Sequence, residues 1–294
     1  MKKLRIALLI CAALLSAPTL AQDAQPDAAQ ARAIAALQSL KPQGGDIDLP
    51  GGKAQLRLND AFRYLTPEDS QKLLEQVWGN PAGSGAGTLG MIIPAHDDSA
   101  GDSWGVVIGY NDDGHIADQD AHKIDYDDLL KTMQKEAAAA NEERERLGYP
   151  RVQLLGWAEP PHYDASAHKI FWAKDLSFGE QQHRTLNYFV RVLGREGVLE
   201  LNAVAGIDQL DQVRRDMNKV MTMAEFKQGN RYADYNQSTD KLAAYGLAAL
   251  VAGGVAAKTG LLAKIVAIAF AAKKFVVLIL AAIAGVFGRW FKRR

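Results

Sequence analysis

The segment GWAEPPHYDASAHKIFWAKDL, residues 156–176, concentrates side chains that could do chemistry. Its candidate binding residues are Glu159, His162, Tyr163, Asp164 and His168. Imidazoles and carboxylates act as general acids and bases and as ligands of zinc, and a phenol donates a hydrogen bond. The segment therefore predicts a binding surface, a hydrolytic site or a metal site.

Two consecutive prolines constrain this segment. Proline has no backbone N–H and forces the residue before it into an extended conformation, so residues 159–168 cannot form a helix. Runs rich in valine, leucine, phenylalanine and tryptophan at 151–158 and 169–176 predict two flanking strands. We therefore expect 159–168 to be a loop that projects from a sheet, which favours a recognition surface or a rigid strand connector.

Catalysis is the alternative. A hydrolase would need Ser166 as the nucleophile and Asp164 as the group that orients a histidine base. The base would be His162 or His168, and the same histidines with Glu159 could hold zinc. Such groups must converge in space, which residues of one short loop do not readily do. We therefore predict no catalytic residue, no metal and no cofactor, with an envelope hydrolase or metal-dependent enzyme as the alternative function.

Elements elsewhere in the chain must position this segment. Hydrophobic periodicity and turn residues predict helices over 28–40, 66–79, 127–147 and 208–221, a hairpin over 46–58, and strands over 103–110, 186–193 and 198–204. Four consecutive antiparallel strands and an amphipathic helix form the second half of this region. They predict an α+β fold, an antiparallel sheet with helices packed on one face, and a sub-boundary near 148–151.

Two other motifs suggest ligands. Gly85-x-Gly87-x-x-Gly90 matches a dinucleotide-binding pattern, but it follows a helix and precedes a strand, the reverse of the required order, and so predicts a flexible surface loop. Acidic residues and histidines between 96 and 122 lack the register of a calcium loop and predict a solvated acidic rim. Its members are His96, Asp97, Asp98, Asp102, Asp112, Asp113, His115, Asp118, Asp120 and His122.

The N-terminus has the pattern of a secretory signal peptide. Lys2, Lys3 and Arg5 precede an apolar run, and small residues up to Ala21 fit a cleavage site, so residues 1–21 are predicted to be removed. The single cysteine, Cys11, lies within that run. The exported remainder would therefore have no thiol, which excludes disulfides and thiolate metal sites.

Residues 241–294 predict a membrane anchor with a basic tail, which leaves 22–240 as the exported domain. The region is apolar from Leu242 to Gly288 apart from four lysines, and it ends in the basic, aromatic sequence RWFKRR. The stretch 242–263 is long enough for one crossing. One crossing is favoured over a helical hairpin, because a return through the bilayer would bury Lys273 and Lys274.

The remaining features concern partners and location. Small residues at every fourth position offer a face for homo-oligomers, namely Ala244, Ala248, Ala252, Ala256 and Gly260. The formal net charge is zero, so no basic surplus exists to neutralise phosphates and no nucleic acid is expected. We predict a protein of the inner (plasma) membrane whose domain faces the periplasm, with the lipid bilayer and another envelope protein as partners.

The stretches GWAEPPHYD, LNYFVRVLGREGVLELNAVAG and KLAAYGLAALVAGGVAAK resemble a bacterial family of membrane-anchored proteins known as a domain of unknown function, DUF2167. The resemblance runs over nearly the whole mature chain. It implies an exported domain with a C-terminal anchor but brings no activity and no catalytic residues. The strand-strand-helix ending also resembles the sheet-and-helix sandwich of the Mog1 and photosystem P-subunit class, which is an analogy of fold alone.

Overall fold

The computed structural model describes residues 28–80, 82–95, 104–119, 121–179 and 184–253. The predicted signal peptide, and the predicted anchor beyond Gly253, lie outside these ranges.

A seven-stranded antiparallel sheet forms the centre of the fold. Its strands are β3 (Phe62–Leu65), β4 (Gly90–Pro94), β5 (Gly105–Asn111), β6 (Val152–Asp164), β7 (Lys169–Phe178), β8 (Arg184–Leu193) and β9 (Val198–Gly206). Their spatial order is β3-β4-β5-β9-β8-β7-β6, so β3 and β6 are the edge strands. A three-stranded sheet is built from β1 (Asp46–Asp48), β2 (Ala54–Arg57) and β10 (Ala224–Phe226), with β2 in the middle.

The helices begin where the sequence supplies capping residues. They are α1 (Ala28–Ser39), α2 (Pro67–Lys72) with a π-helical turn at Leu73–Val77, α3 (Tyr126–Arg146), α4 (Leu210–Met223) and α5 (Leu247–Ala252). Short 3-10 turns occupy Ala121–Lys123, Ile207–Gln209 and Tyr232–Asp234. Thr66 accepts a hydrogen bond from the backbone nitrogen of Asp69, and Asp125 caps α3 in the same way. The predicted antiparallel α+β fold is confirmed.

Both faces of the large sheet are covered, so the prediction of helices on one face is wrong. Successive strand residues point to opposite faces. On β7, Ala173 belongs to the core beneath α4, whereas Trp172 belongs to the core beneath α5. We call these two sides the α4 face and the α5 face; α1, α2 and α3 also cover the α5 face. The strands are apolar at both alternating positions, which is typical of a sheet buried on two sides.

The prediction of a projecting loop at 159–168 is also wrong. β6 continues through both prolines to Asp164, which pairs with Lys169, so the hairpin turn is confined to residues 165–168. An edge strand tolerates proline because one of its sides has no partner strand. The ladder accommodates the prolines through three register shifts, between Leu154 and Gly156, Trp157 and Glu159, and Glu159 and His162.

Amide side chains of α3 protect the first half of this edge strand. Asn141 binds Val152 twice, accepting from its backbone nitrogen at 2.8 Å and donating to its oxygen at 3.0 Å. Gln134 donates to the carbonyl oxygens of Leu154 and Leu155 at 3.2 and 3.3 Å. Unpaired edge groups otherwise offer a template for another chain. Helix amides therefore bind the free backbone groups in the first half of β6, and the two prolines remove backbone donors further along the strand.

The segment at the start of the predicted anchor packs on the domain. Leu247, Leu250 and Val251 of α5 are buried in the core of the α5 face, together with Ile170 and Trp172. A helix long and apolar enough to cross a membrane is not present among the residues described up to Gly253.

The predicted small-residue face is therefore only partly described. Ala244 is exposed and precedes α5, so it does not lie on that helix, while Ala248 and Ala252 are partly buried on it. Ala256 and Gly260 lie outside the described residues. Its role in self-association stays a prediction.

Candidate functional site

Strand alternation and the bulges distribute the five candidate residues over both faces of the sheet. His162 lies on the α4 face and is exposed, and its ring centroid is 5.2 Å from that of Phe171. Tyr163 lies on the α5 face. The five residues are close together in the sequence, but they do not form one site.

Glu159 binds the helix that covers the α4 face. Its Oε2 accepts a hydrogen bond from Nε of Arg214 at 2.9 Å, with only 19% of the Glu159 side chain exposed. This bond raises the pKa of Arg214 above its usual value. The carboxylate therefore ties the edge strand to α4 and is engaged by a guanidinium rather than by a histidine.

Asp164 organises the hairpin turn. Its Oδ1 accepts hydrogen bonds from the backbone nitrogens of Ser166 and Ala167 at 2.9 and 3.1 Å and from Ser166 Oγ at 2.6 Å. These bonds, that from the Ser166 hydroxyl first, lower the pKa of Asp164. The serine of the hydrolase alternative thus donates to the aspartate directly, without an intervening histidine.

Tyr163 and His168 meet at a carboxylate from another part of the chain, Asp118. The Tyr163 hydroxyl donates to Asp118 Oδ2, and His168 Nδ1 lies 3.2 Å from that hydroxyl and 3.4 Å from Asp118 Oδ2. Burial, and then the neighbouring Asp118, raises the pKa of Tyr163. Burial acts to raise the pKa of Asp118 as well, but hydrogen bonding, that from the Tyr163 hydroxyl foremost, holds it below its usual value. Asp118 is therefore a charged acceptor for the side chains of the hairpin.

Four aromatic rings stack in a column beside this carboxylate. The ring of His168 lies 4.0 Å from that of Tyr232, which lies 4.3 Å from His115, and His115 lies 3.9 Å from Tyr235. Tyr232 also donates to the carbonyl oxygen of Ile116 at 3.0 Å. We call Asp118, Tyr163, His168, His115, Tyr232 and Tyr235 the hairpin cluster.

The hairpin cluster corrects the prediction of a solvated acidic rim. Asp118 and His115 are not surface groups: His115 is 6% exposed, and 18% of the Asp118 side chain is exposed. Burial lowers the pKa of His115. Asp113 accepts a hydrogen bond from Tyr245, whereas Asp112 and His122 are exposed as expected. The remaining members of the predicted rim lie outside the described residues, namely His96, Asp97, Asp98, Asp102 and Asp120.

A second polar group lies on the α5 face of the central strands. We call Lys174, Asn187, Arg191, Glu200 and Asn202 the sheet-face cluster. Register places Lys174 opposite Asn187 and Arg191 opposite Glu200. Arg191 Nη1 donates to Asn202 Oδ1 at 2.7 Å, and its Nε lies 3.3 Å from Glu200 Oε1. Burial, followed by the positive charge of Arg191, lowers the pKa of Lys174 to about 7.

Sequence reasoning missed this second cluster, although a signal was present. Lys174, Asn187 and Arg191 interrupt strands that are mostly apolar at both alternating positions. In a strand buried on both faces, such residues lie within the protein rather than in water. Asp118 and Tyr232 gave no comparable signal, since only the fold brings them to the hairpin.

The two other sequence motifs have structural outcomes. Residues 82–87 form turns that lead into β4 at Gly90, so the predicted loop is confirmed over these residues. Gly90 has φ +127°, and a Cβ there would lie 2.3 Å from the Tyr64 ring, so packing requires this glycine. Over the described ranges, no three histidine, cysteine or acidic side chains are grouped so that they could hold a metal ion.

Comparison with known proteins identifies the family. Residues 41–284 match the profile of the family described as "Protein of unknown function (DUF2167)". The chain belongs to this family. Among solved structures, it is similar to cyanobacterial PsbP (CyanoP) from Synechocystis sp. PCC 6803, with 9% identity over 64% of this chain and 92% of that chain and a TM-score of 0.34. No curated protein matches the DUF2167 chain.

Proposed function

We propose that this DUF2167 protein is exported and membrane-anchored, and that its domain is an interaction module of the bacterial envelope with the hairpin cluster as its recognition surface. The signal-like N-terminus and the apolar, basic-ended C-terminal sequence support export and anchoring.

The observation that carries the recognition surface is the conformation of His168. Of the non-glycine residues in the described part, it alone has a positive φ, of 50°, and 32% of its side chain is exposed. Strained conformations persist only where surrounding contacts over-determine them, and they cluster at ligand contacts. Asp118, Tyr163 and Tyr232 supply those contacts. The hairpin end therefore presents a preorganised imidazole.

Chain connectivity supports a location near the membrane. The backbone nitrogen of His115 donates to Lys241, and its carbonyl oxygen accepts from Ala243, each at 2.8 Å. These residues come directly before the apolar C-terminal sequence. We propose that the hairpin cluster meets its partner close to the membrane surface.

Photo-crosslinking in intact cells tests the recognition surface. The probe belongs at Ser166, which is exposed at the hairpin turn, because the hydroxyl of Tyr163 is already bonded to Asp118. A matched probe at exposed Glu142 on α3 is the control. We expect a crosslinked species from Ser166 that is absent from Glu142. The same species should disappear in His168→Gly, which retains the backbone conformation and removes the ring.

Two results would contradict this proposal: recovery of nothing at Ser166, or of the same species at both positions. Export is tested separately by adding protease to sealed spheroplasts that contain the full chain. Cleavage of the domain before lysis is expected, and protection until lysis would exclude a periplasmic domain.

A further inference from the structure

The sheet-face cluster contains polar atoms that have no partner among the described residues. Asn187 is 4% exposed and its Oδ1 accepts from no donor. Next to the cluster, Trp172 is 1% exposed, with an Nε1 that donates to no acceptor. No hydrogen bond contributes to the environment of Lys174, whose Nζ lies 5.1 Å from the centroid of the Phe189 ring. Buried polar groups in native proteins are nearly always hydrogen-bonded. Asn187 Oδ1 and Lys174 Nζ therefore lack partners that a bound molecule could supply.

The same cluster carries an excess of positive charge. Lys174 and Arg191 both approach the ring of Phe189, with Nζ at 5.1 Å and Cζ at 5.4 Å from its centroid. One carboxylate, Glu200, lies 3.3 Å from Arg191 Nε and compensates one of the two cations. Glu136 of α3 attracts Lys174 electrostatically but is itself exposed. When Lys174 is protonated, none of the carboxylates that the structure describes forms a close ion pair with it.

We propose that the sheet-face cluster binds a small organic carboxylate that also carries a hydrogen-bond donor, as a hydroxy acid does. The carboxylate supplies the acceptor and the single negative charge that Lys174 lacks. The hydroxyl supplies a donor to Asn187 Oδ1. A phosphate dianion fits less well, because its second charge would lie near Glu200.

Solvent reaches this cluster from the side of Lys174 and the Phe189 ring. Lys174, Phe189 and Glu200 are partly exposed, whereas Asn187 and Arg191 are buried beside them. The proposed ligand would approach over Phe189, toward the buried amide of Asn187. The cluster is separate from the hairpin residues to which the proposed function is assigned, so the two proposals can fail independently.

Binding of lactate to the purified full chain in detergent micelles tests the proposal, with lactamide as the uncharged isostere and inorganic phosphate as the competing anion. Calorimetric titration should detect saturable binding of lactate and none of lactamide. Lys174→Met should weaken lactate binding by about tenfold or more, because a charge-assisted hydrogen bond is lost. Arg184→Met is the matched control, since this exposed cation of the neighbouring strand β8 pairs with Asp175 instead.

Any of the following results would overturn the proposal. Absence of saturable lactate binding would indicate that only ordered water satisfies the cluster. Equal binding of lactamide, or binding of phosphate alone, would exclude the carboxylate. Undiminished affinity in Lys174→Met, with the variant folded by circular dichroism, would locate the ligand elsewhere.

Discussion

The hairpin cluster and the sheet-face cluster are both partly buried polar groups, but they differ in how the charge at their centre is paired. Asp118 accepts a hydrogen bond from Tyr163 and lies 3.4 Å from His168 Nδ1. Lys174 has no acceptor among the described residues, and Asn187 Oδ1 has no donor there. A low dielectric strengthens a complete network and penalises an incomplete one. Removing the central charge should therefore destabilise the first cluster and stabilise the second.

The largest effect is expected from Asp118→Ala. The substitution leaves the Tyr163 hydroxyl without its acceptor and removes a charge that is 18% exposed. We expect the free energy of unfolding to fall by about 3 kcal/mol. Denaturant titration of the full chain measures it, with Asp112→Ala as the exposed control. Equal effects of the two substitutions would show that the hairpin cluster is not a network.

The opposite sign is expected for Lys174→Met. The ammonium is desolvated beside Arg191, and methionine fills a similar volume without charge. We expect the unfolding free energy at pH 7 to rise by about 1–3 kcal/mol. The exposed Lys219→Met should have little effect. Destabilisation by Lys174→Met would show that the lysine already has a compensating partner.

The pH dependence of the same variant gives an independent measurement. The pKa of Lys174 is about 7 in the folded protein against 10.5 without the protein environment. Between these values the unfolded chain binds more protons, so stability should rise with pH across this window, by up to about 1.4 kcal/mol per unit. Lys174→Met should flatten that slope, while a slope unchanged from wild type would contradict the lowered pKa.

The sequence was sufficient to predict most elements of the fold but not β3, β10 or α5, nor how the edge of the sheet is built. The predicted strands and helices followed from hydrophobic spacing and from capping residues such as Thr66. The prediction of a loop at 159–168 was wrong because a pair of prolines was taken to end a strand. Whether Pro160 can remain in a strand depends on that strand's position in the sheet, and only strand order decides which strand lies at the edge.

The site was predictable only in part, for a similar reason. Tyr163 and His168 were selected by residue type, but their shared acceptor, Asp118, is 45 residues from Tyr163 along the chain. Glu159 and His162 were selected with them, although strand geometry directs both to the other face. The sheet-face cluster depends on the cross-strand register that pairs Lys174 with Asn187, and no single stretch of sequence contains that register.

The smallest effect is expected from His115, in the ring column of the hairpin cluster. Burial holds its pKa below the ordinary 6.5, despite hydrogen bonds to the backbone at Gly194 and Arg195. As pH falls below about 6.5 the unfolded chain therefore takes up the proton first, and stability should decline toward pH 5.

His115→Phe preserves a ring between Tyr232 and Tyr235 and cannot titrate. In this variant the decrease in unfolding free energy toward pH 5 should be smaller by about 1 kcal/mol or less. His122→Phe, at an exposed site, should retain the wild-type pH dependence. A decline that persists unchanged in His115→Phe would assign the proton to another group, and the buried imidazole would then contribute to the cluster through stacking alone.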